Sequence, residues 1–192
     1  MKNDFITMPA LALRGLVIFP GMILHFDVAR ERSVSAIDEA IEHNDRKIFL
    51  VTQIDEEIDD VVPGNLYKVG VVAEIRQTLN TPDGARRVLV QGLYSAKLKS
   101  ASFEQPYMLA DITPLPKPVD NLTGAEKTAY IRAIINEFRQ YSEMSPRMPI
   151  ELYRGILGEK DLERLIELIV FNVYLKVEDK QSLLACTTLR RR

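Results

Sequence analysis

Hydrophobic and polar positions change rhythm near the middle of the chain. Before residue 118 the apolar residues come in short runs rich in β-branched and aromatic side chains, at Lys47–Thr52 and at residues 69–79, 87–98 and 108–112. Runs of this length and composition predict strands. Asn80-Thr81-Pro82-Asp83-Gly84 separates the second run from the third, and an Asp-Gly pair favours the positive-φ backbone of a tight hairpin turn. Gly70 and Gly92 fall inside two of these runs, where a missing side chain often marks a bulge or a bend. One helix interrupts: Val34, Ile37, Ala40 and Ile41 recur at helical spacing among charged residues. This half predicts a small, strongly bent β-sheet or barrel with one crossover helix.

After residue 118 the period lengthens to that of helices. Thr123-Gly124-Ala125-Glu126 has the spacing of a capping box, in which the two side chains satisfy free backbone N–H groups reciprocally. Tyr130, Ile131, Ile134, Ile135, Phe138 and Tyr141 then form one apolar stripe, ended by Pro146 and Pro149. Gly158 and Asp161 introduce a second helix from Leu162 to about Leu175, apolar on most sides and therefore expected at the centre of a bundle. Residues 178–185 predict a short helix. Residues 187–192 resemble the first turn of another, where Arg190, Arg191 and Arg192 would oppose the helix dipole. That pattern suggests a chain cut from something longer. Pro114-Leu115-Pro116-Lys117-Pro118 reads as a stiff connector. The predicted class is therefore α+β: a β-rich domain at 1–118 and a helical bundle at 119–192, truncated at its C-terminal end.

Composition removes several function classes. The single Cys186 excludes an internal disulfide, and one cysteine with His25 and His43 is a poor zinc set. A formal charge of −2 argues against a protein that coats nucleic-acid phosphates. Residues 168–175, interrupted by Asn172, are the longest apolar stretch and fall well short of the ~20 residues of a membrane span. The first residues lack the basic-then-apolar order of a secretion signal, so the expected location is cytoplasmic.

Catalytic motifs are equally scarce. Gly15 and Gly21 are one residue too far apart for a P-loop and are followed by Met22-Ile23 instead of a lysine and a hydroxyl. His25, between Leu24 and Phe26, reads as a surface residue of a strand, and His43 as a helix-end residue. Cys186 lacks a basic neighbour on its N-terminal side to activate it. The acidic run 55–60 lacks the glycine and alternation of a calcium loop and reads as a solvated loop. Arg86-Arg87 reads as a solvated hairpin edge. Metal and catalytic residues are accordingly expected to be none.

Two apolar patches could meet an unfolded partner, and core packing is the competing reading for each. One is Leu16, Phe19 and Pro20, in the loop from Arg14 to Gly21; the other is Tyr94, Phe103, Tyr107 and Met108. Residues 165–175 could also bury a partner helix. An open sheet edge would offer a further way to hold an extended peptide.

The run from Met8 to Gly21, with Leu11-Ala12-Leu13-Arg14 and Phe19-Pro20-Gly21, resembles the opening motif of the N-terminal region of ATP-dependent Lon proteases. The likeness continues through Phe49-Leu50-Val51-Thr52-Gln53, Leu66-Tyr67-Lys68-Val69-Gly70 and Val88-Leu89-Val90-Gln91-Gly92. Leu93-Tyr94-Ser95-Ala96 departs from the Arg-Ala that usually follows. Asp161-Leu162-Glu163-Arg164-Leu165 and Lys180-Gln181-Ser182-Leu183-Leu184 carry the resemblance into the helical half. It implies a PUA-like β-domain followed by a helical bundle. Its implied role is to recognise unfolded or tagged proteins in quality control and to support a homo-hexamer. ATP, Mg and the Ser–Lys dyad belong, by the same resemblance, to the AAA+ and protease domains of the longer enzyme; Pro82-Asp83-Gly84-Ala85 only echoes its nucleophile motif and lacks the serine. The expected function is thus non-catalytic substrate recognition. The alternatives are a stand-alone PUA-like module binding RNA or another protein, and a hydrolase in its own right.

Overall fold

In the computed structural model, which describes residues 5–82, 85–144 and 148–192, six strands form one mixed sheet. They are β1 (Ile6–Leu13), β2 (Ile23–Val28), β3 (Lys47–Thr52), β4 (Val69–Asn80), β5 (Arg86–Ser102) and β6 (Met108–Pro114). Their order is β2-β5-β4-β3-β1-β6, and an additional β5–β6 pairing closes the last five into a barrel. β5 can serve two neighbours on one side because it is long. Its first residues pair with β2, from Arg86↔Val28 to Gln91↔Ile23, and its last with β6, from Ala96↔Pro114 to Ser102↔Leu109. β1 and β3 run parallel, joined through β2 and helix α1 (Glu31–His43). The Asp83-Gly84 turn lies outside the described residues.

The glycines inside the strands work by close approach. The β4–β5 register shifts between Val72 and Ala73, next to Gly92, so a bulge does sit there. A Cβ on Gly92 would stand 2.2 Å from the Phe19 carbonyl oxygen, and one on Gly70 would stand 2.4 Å from the Leu50 oxygen. Both contacts are with backbone, which cannot swing aside. The barrel core packs Phe49, Val51, Leu66, Val72, Ala96 and Ile112 around these positions.

β1 is absent from the strand pattern read above. Its residues Met8 to Leu11 are continuously buried, so no alternation of apolar and polar positions reveals it. Pro9 sits within it, which also argues against a strand from sequence alone.

The chain divides into two compact units, Met1–Lys117 with Val177–Ala185 and Pro118–Lys176 with Cys186–Arg192. The division therefore differs from two consecutive domains: helix α5 (Val177–Leu184) lies with the β-unit, beside β4, burying Gln181 and Leu184. Only eight residues long and weakly amphipathic, α5 shows no sequence signal of which body it joins.

The second unit contains α2 (Gly124–Glu143), α3 (Ile150–Gly158) and α4 (Leu162–Asn172). Phe138, Ile156, Leu165 and Val173 form its centre, with Ile131, Ile134, Leu152 and Ile169 packed around them. α3 is a helix that the sequence pattern did not predict. α4 stops three residues before the expected end, because Val173 takes an extended conformation (ψ 140°) and returns its side chain to the core. Tyr174 then points outward, 84% exposed. Pro146 lies outside the described residues.

The capping box is formed. The Glu126 carboxylate accepts hydrogen bonds from the Thr123 N–H and hydroxyl, both at 2.8 Å, while the Thr123 hydroxyl accepts one from the Glu126 N–H. Arg190, in a 3-10 turn at Leu189–Arg191, pairs with the same carboxylate. One of the three terminal arginines is thus neutralised by α2's first turn. The Thr123 bonds first, then Arg190, hold the Glu126 pKa at about 2, below its ordinary 4.5. A depressed carboxylate pKa gives stabilisation that is complete above the ordinary value and is lost as pH falls through the folded one. We expect carboxyl NMR to show Glu126 titrating near pH 2, and the α2 N-terminus to loosen as pH falls from about 4.5 towards 2. Arg190→Gln should raise that midpoint; a midpoint unchanged from free glutamate would refute the arrangement.

Candidate functional site: two adjoining cavities under a charged mouth

The loop from Arg14 to Gly21 leaves β1 and turns inward. Gly15 and Gly21, with φ of +61° and +83°, supply the left-handed turns at its two ends. Between them Val17, Ile18 and Phe19 are buried, Phe19 to 1% exposure. The loop is bonded to the sheet through Gly21 N–H to the Gly92 carbonyl, Gly92 N–H to the Met22 carbonyl (both 2.9 Å) and Thr52 hydroxyl to the Leu16 carbonyl (2.7 Å). Phe19 as an exposed contact residue is therefore corrected: two glycine turns fold the apolar run into the core. Leu16 and Pro20 remain half-buried.

The second patch divides in the same way. Met108 is 5% exposed, and its place in the barrel core corrects its reading as an open contact residue. As the first residue of β6 it pairs with Ala10 of β1 and points inward. Tyr94 and Phe103 are half-buried against that core. Tyr107 lies against Glu39 of α1, and burial, then that carboxylate, raise the pKa of its hydroxyl.

What remains of the two patches converges on β1 and the start of α1. A cavity of about 220 Å³ is walled by Ala10, Ala12, Val61, Phe103 and Met108. A second, of about 300 Å³, is walled by Leu13, Leu16, Phe26 and Val28. Leu11, Ala12, Arg30 and Ser33 line both, so the two adjoin. The structure thus brings Leu16 and Phe103 to one neighbourhood, although 87 positions separate them; Pro20, Tyr94 and Tyr107 line neither cavity.

The rim is charged, and it was missed in the sequence. Asp59, from the acidic run, bridges two arginines: its Oδ1 accepts from Arg14 Nη2 at 2.7 Å and Arg30 Nη2 at 3.2 Å. Arg14 also donates to the Ile58 carbonyl at 3.1 Å. These partners lie 29 to 45 residues apart, beyond the reach of any local spacing rule.

The remaining polar candidates are occupied or exposed. Arg87 holds Asp27 with two bonds, at 2.7 and 2.8 Å, and lowers its pKa; Arg86 pairs with Asp38. These arginines bind carboxylates of the same unit instead of forming a simple solvated edge. His43 lies 3.4 Å from Glu39 one helical turn away, and His25 is exposed. The Cys186 thiol donates to the Arg191 carbonyl at 3.2 Å. Among the described residues no group of three metal-ligating side chains comes together, and no helix is long and apolar enough to cross a membrane.

The helical unit has an apolar groove of its own, about 320 Å³, between α2 and α4, walled by Ile134, Phe138, Tyr141, Ile169 and Val173.

Solved structures share this fold. The N-terminal domain of a Mycobacterium avium complex Lon protease aligns with a TM-score of 0.70 and 18% identity, covering 97% of this chain and 94% of that one. A Lon N-terminal domain protein from Xanthomonas campestris aligns at 0.65 and 12% identity, with the same coverages. The class is α+β, of the Lon N-terminal type.

Residues 7–192 match the family described as the ATP-dependent protease La (LON) substrate-binding domain, and the chain belongs to that family. The Lon protease of Desulforamulus reducens is 36% identical over 184 residues, and Lon protease 1 of Bacillus subtilis 33% identical over 186. The matches take in 96% and 97% of this chain but only 22% and 24% of those proteins, so the chain spans about a quarter of their length or less.

Proposed function

We propose that this chain is the non-catalytic substrate-recognition region of a Lon protease, and that it holds unfolded polypeptide segments at the paired cavities beside β1 and α1. The observation that carries the reading is the convergence of Leu16, Phe103 and Leu11 on two adjoining cavities with apolar walls and a rim of arginines and carboxylates. Unfolded chains expose apolar side chains singly and briefly. Shallow apolar cavities with adaptable walls take such side chains weakly and with little sequence preference, as a quality-control protein requires. In the longer protein the weak contacts would be multiplied across a homo-hexamer, giving avidity without tight individual sites. Membrane and nucleic-acid partners have no part in this reading. Arg86 and Arg87, the basic pair beside the hairpin, are engaged by Asp38 and Asp27.

The test is titration of reduced, unfolded casein into the isotope-labelled 192-residue chain, followed by NMR. Shifts should centre on Leu16, Ser33 and Phe103. Ser33→Phe, which fills the shared wall of both cavities, should weaken binding about tenfold. Ile134→Ser in the α2–α4 groove should leave binding unchanged. Saturable shifts confined to that groove would move recognition to the helical unit and overturn the cavity assignment.

A further inference from the structure

Asp59 sits where a ligand's own acidic group would sit. Resting on the cavity assignment above, we propose that the acidic arc Asp55–Asp60 is a built-in pseudo-ligand, and that the site prefers a polypeptide segment in which a carboxylate closely follows an apolar side chain.

The arc is firmly rooted and loosely tipped. At its roots, the Asn65 side chain accepts from the Asp55 N–H at 2.9 Å and donates to the Asp55 carbonyl at 3.0 Å. Gln53, also buried, donates to the Ile58 carbonyl at 3.0 Å. Val61, at the far end, is part of the first cavity's apolar wall. Between these anchors the Asp59 side chain is 88% exposed and reaches across to arginines from two other elements, Arg14 beyond β1 and Arg30 at the N-cap of α1. Arg30 lines both cavities and Arg14 the second; Arg32, Glu31 and Asp60 also line the first, and Asp27, held by Arg87, the second. One carboxylate thus bridges arginines from the rims of the two cavities.

The clasp has the wrong geometry to be permanent. Both guanidinium groups meet the same Oδ1, each through a single Nη2, whereas a free carboxylate can meet an arginine through two parallel bonds. Ion pairs this exposed contribute little and are screened by salt. An incoming carboxylate can therefore take over Arg30 while its apolar neighbour enters a cavity, and the exposed Asp59 side chain turns outward while Ile58 stays held through its carbonyl by Gln53 and Arg14. A ligand without a carboxylate must either leave the clasp closed or open it without replacing the lost pair.

Such a carboxylate could be a chain terminus or an aspartate or glutamate side chain. Three fluorescein-labelled peptides separate the sources: one with a leucine-phenylalanine end and a free C-terminus, the same peptide amidated, and the amidated peptide with an aspartate after the phenylalanine. Fluorescence anisotropy with the 192-residue chain should show tighter binding of the acidic forms than of the plain amide. Asp59→Asn, at an exposed position, should tighten the acidic forms a further three- to fivefold or so and the amide by less. Arg30→Gln should erase the difference between acid and amide. If only the free terminus gains, the ligand is a chain end; if both acidic forms gain, either source serves.

Equal binding of acid and amide by the native chain and by Asp59→Asn, with NMR shifts still at Leu16 and Phe103, would overturn the pseudo-ligand while leaving the cavity site intact. Binding of none of the peptides at those residues would overturn the cavity site, and the pseudo-ligand with it.

Discussion

Replacing Phe19 by alanine should destabilise the β-unit by about 3–5 kcal/mol, the usual cost of removing a fully buried aromatic ring. A chemical-denaturation midpoint at unchanged slope is the measure, with a fall in melting temperature of roughly 10 °C. The expectation follows from what surrounds the ring. Phe19 is 1% exposed, its carbonyl accepts from the Met22 N–H at 3.1 Å, and that carbonyl lies against the bare backbone of Gly92. The loop cannot collapse into the space left behind without breaking the bonds that Gly21, Met22 and Gly92 make with one another, so the cavity persists. Were Phe19 instead a solvent-facing contact residue, alanine would change stability by less than about 0.5 kcal/mol and would reduce only casein binding. Stability and binding measured on one variant therefore separate the two roles.

Leu165→Ala should be comparably severe in the helical unit, at about 2–5 kcal/mol. Leu165 is fully buried among Phe138, Ile156 and Val173, contributed by α2, α3 and the end of α4. Its loss removes packing from all three helices at once. Phe138 and Tyr153, whose ring centroids are 6.0 Å apart, give a near-UV signal that should weaken together with the helical far-UV signal on heating. Glu163→Ala, two residues away on the exposed side of the same helix, should stay within about 0.5 kcal/mol. Equal effects from the two variants would show that α4 does not present this face to the bundle.

Periodicity served well where an element has one wet and one dry face. α2 is such a case: Ile131, Ile134, Ile135, Phe138 and Tyr141 repeat on its inner side, although Tyr130 of the same stripe is exposed, and its first turn is marked by the capping box of Thr123 and Glu126. β3, β4, β5 and β6 were legible from β-branched runs bounded by turn residues. Where both faces are covered the signal vanishes. β1, whose residues Met8 to Leu11 are all buried, is one such element, and its Pro9 misleads further. α3 was missed for a different reason: nine residues with Gly155 and Gly158 among them carry too few repeats to show a period.

The candidate site was only half legible. Leu16 and Phe103 stood out as apolar residues in turn-rich surroundings, but the same signal also flagged Phe19 and Met108, which the fold buries. Hydrophobicity states that a residue avoids water and says nothing of whether the fold finds room for it inside. The clasp of Asp59 with Arg14 and Arg30 was invisible, because an acidic run and two isolated arginines are each ordinary surface chemistry until the chain brings them together.

By itself the sequence determined the class of protein, the strand-rich and helix-rich halves, the capping box of α2 and the family resemblance. These depend on interactions within a few residues or on ordered motifs along the chain. Tertiary structure alone decided which apolar residues became core and which became cavity wall, which unit α5 joined, and which charges met across the cavity mouth. Those outcomes depend on contacts between residues far apart in sequence, whose geometry exists only once the barrel has closed.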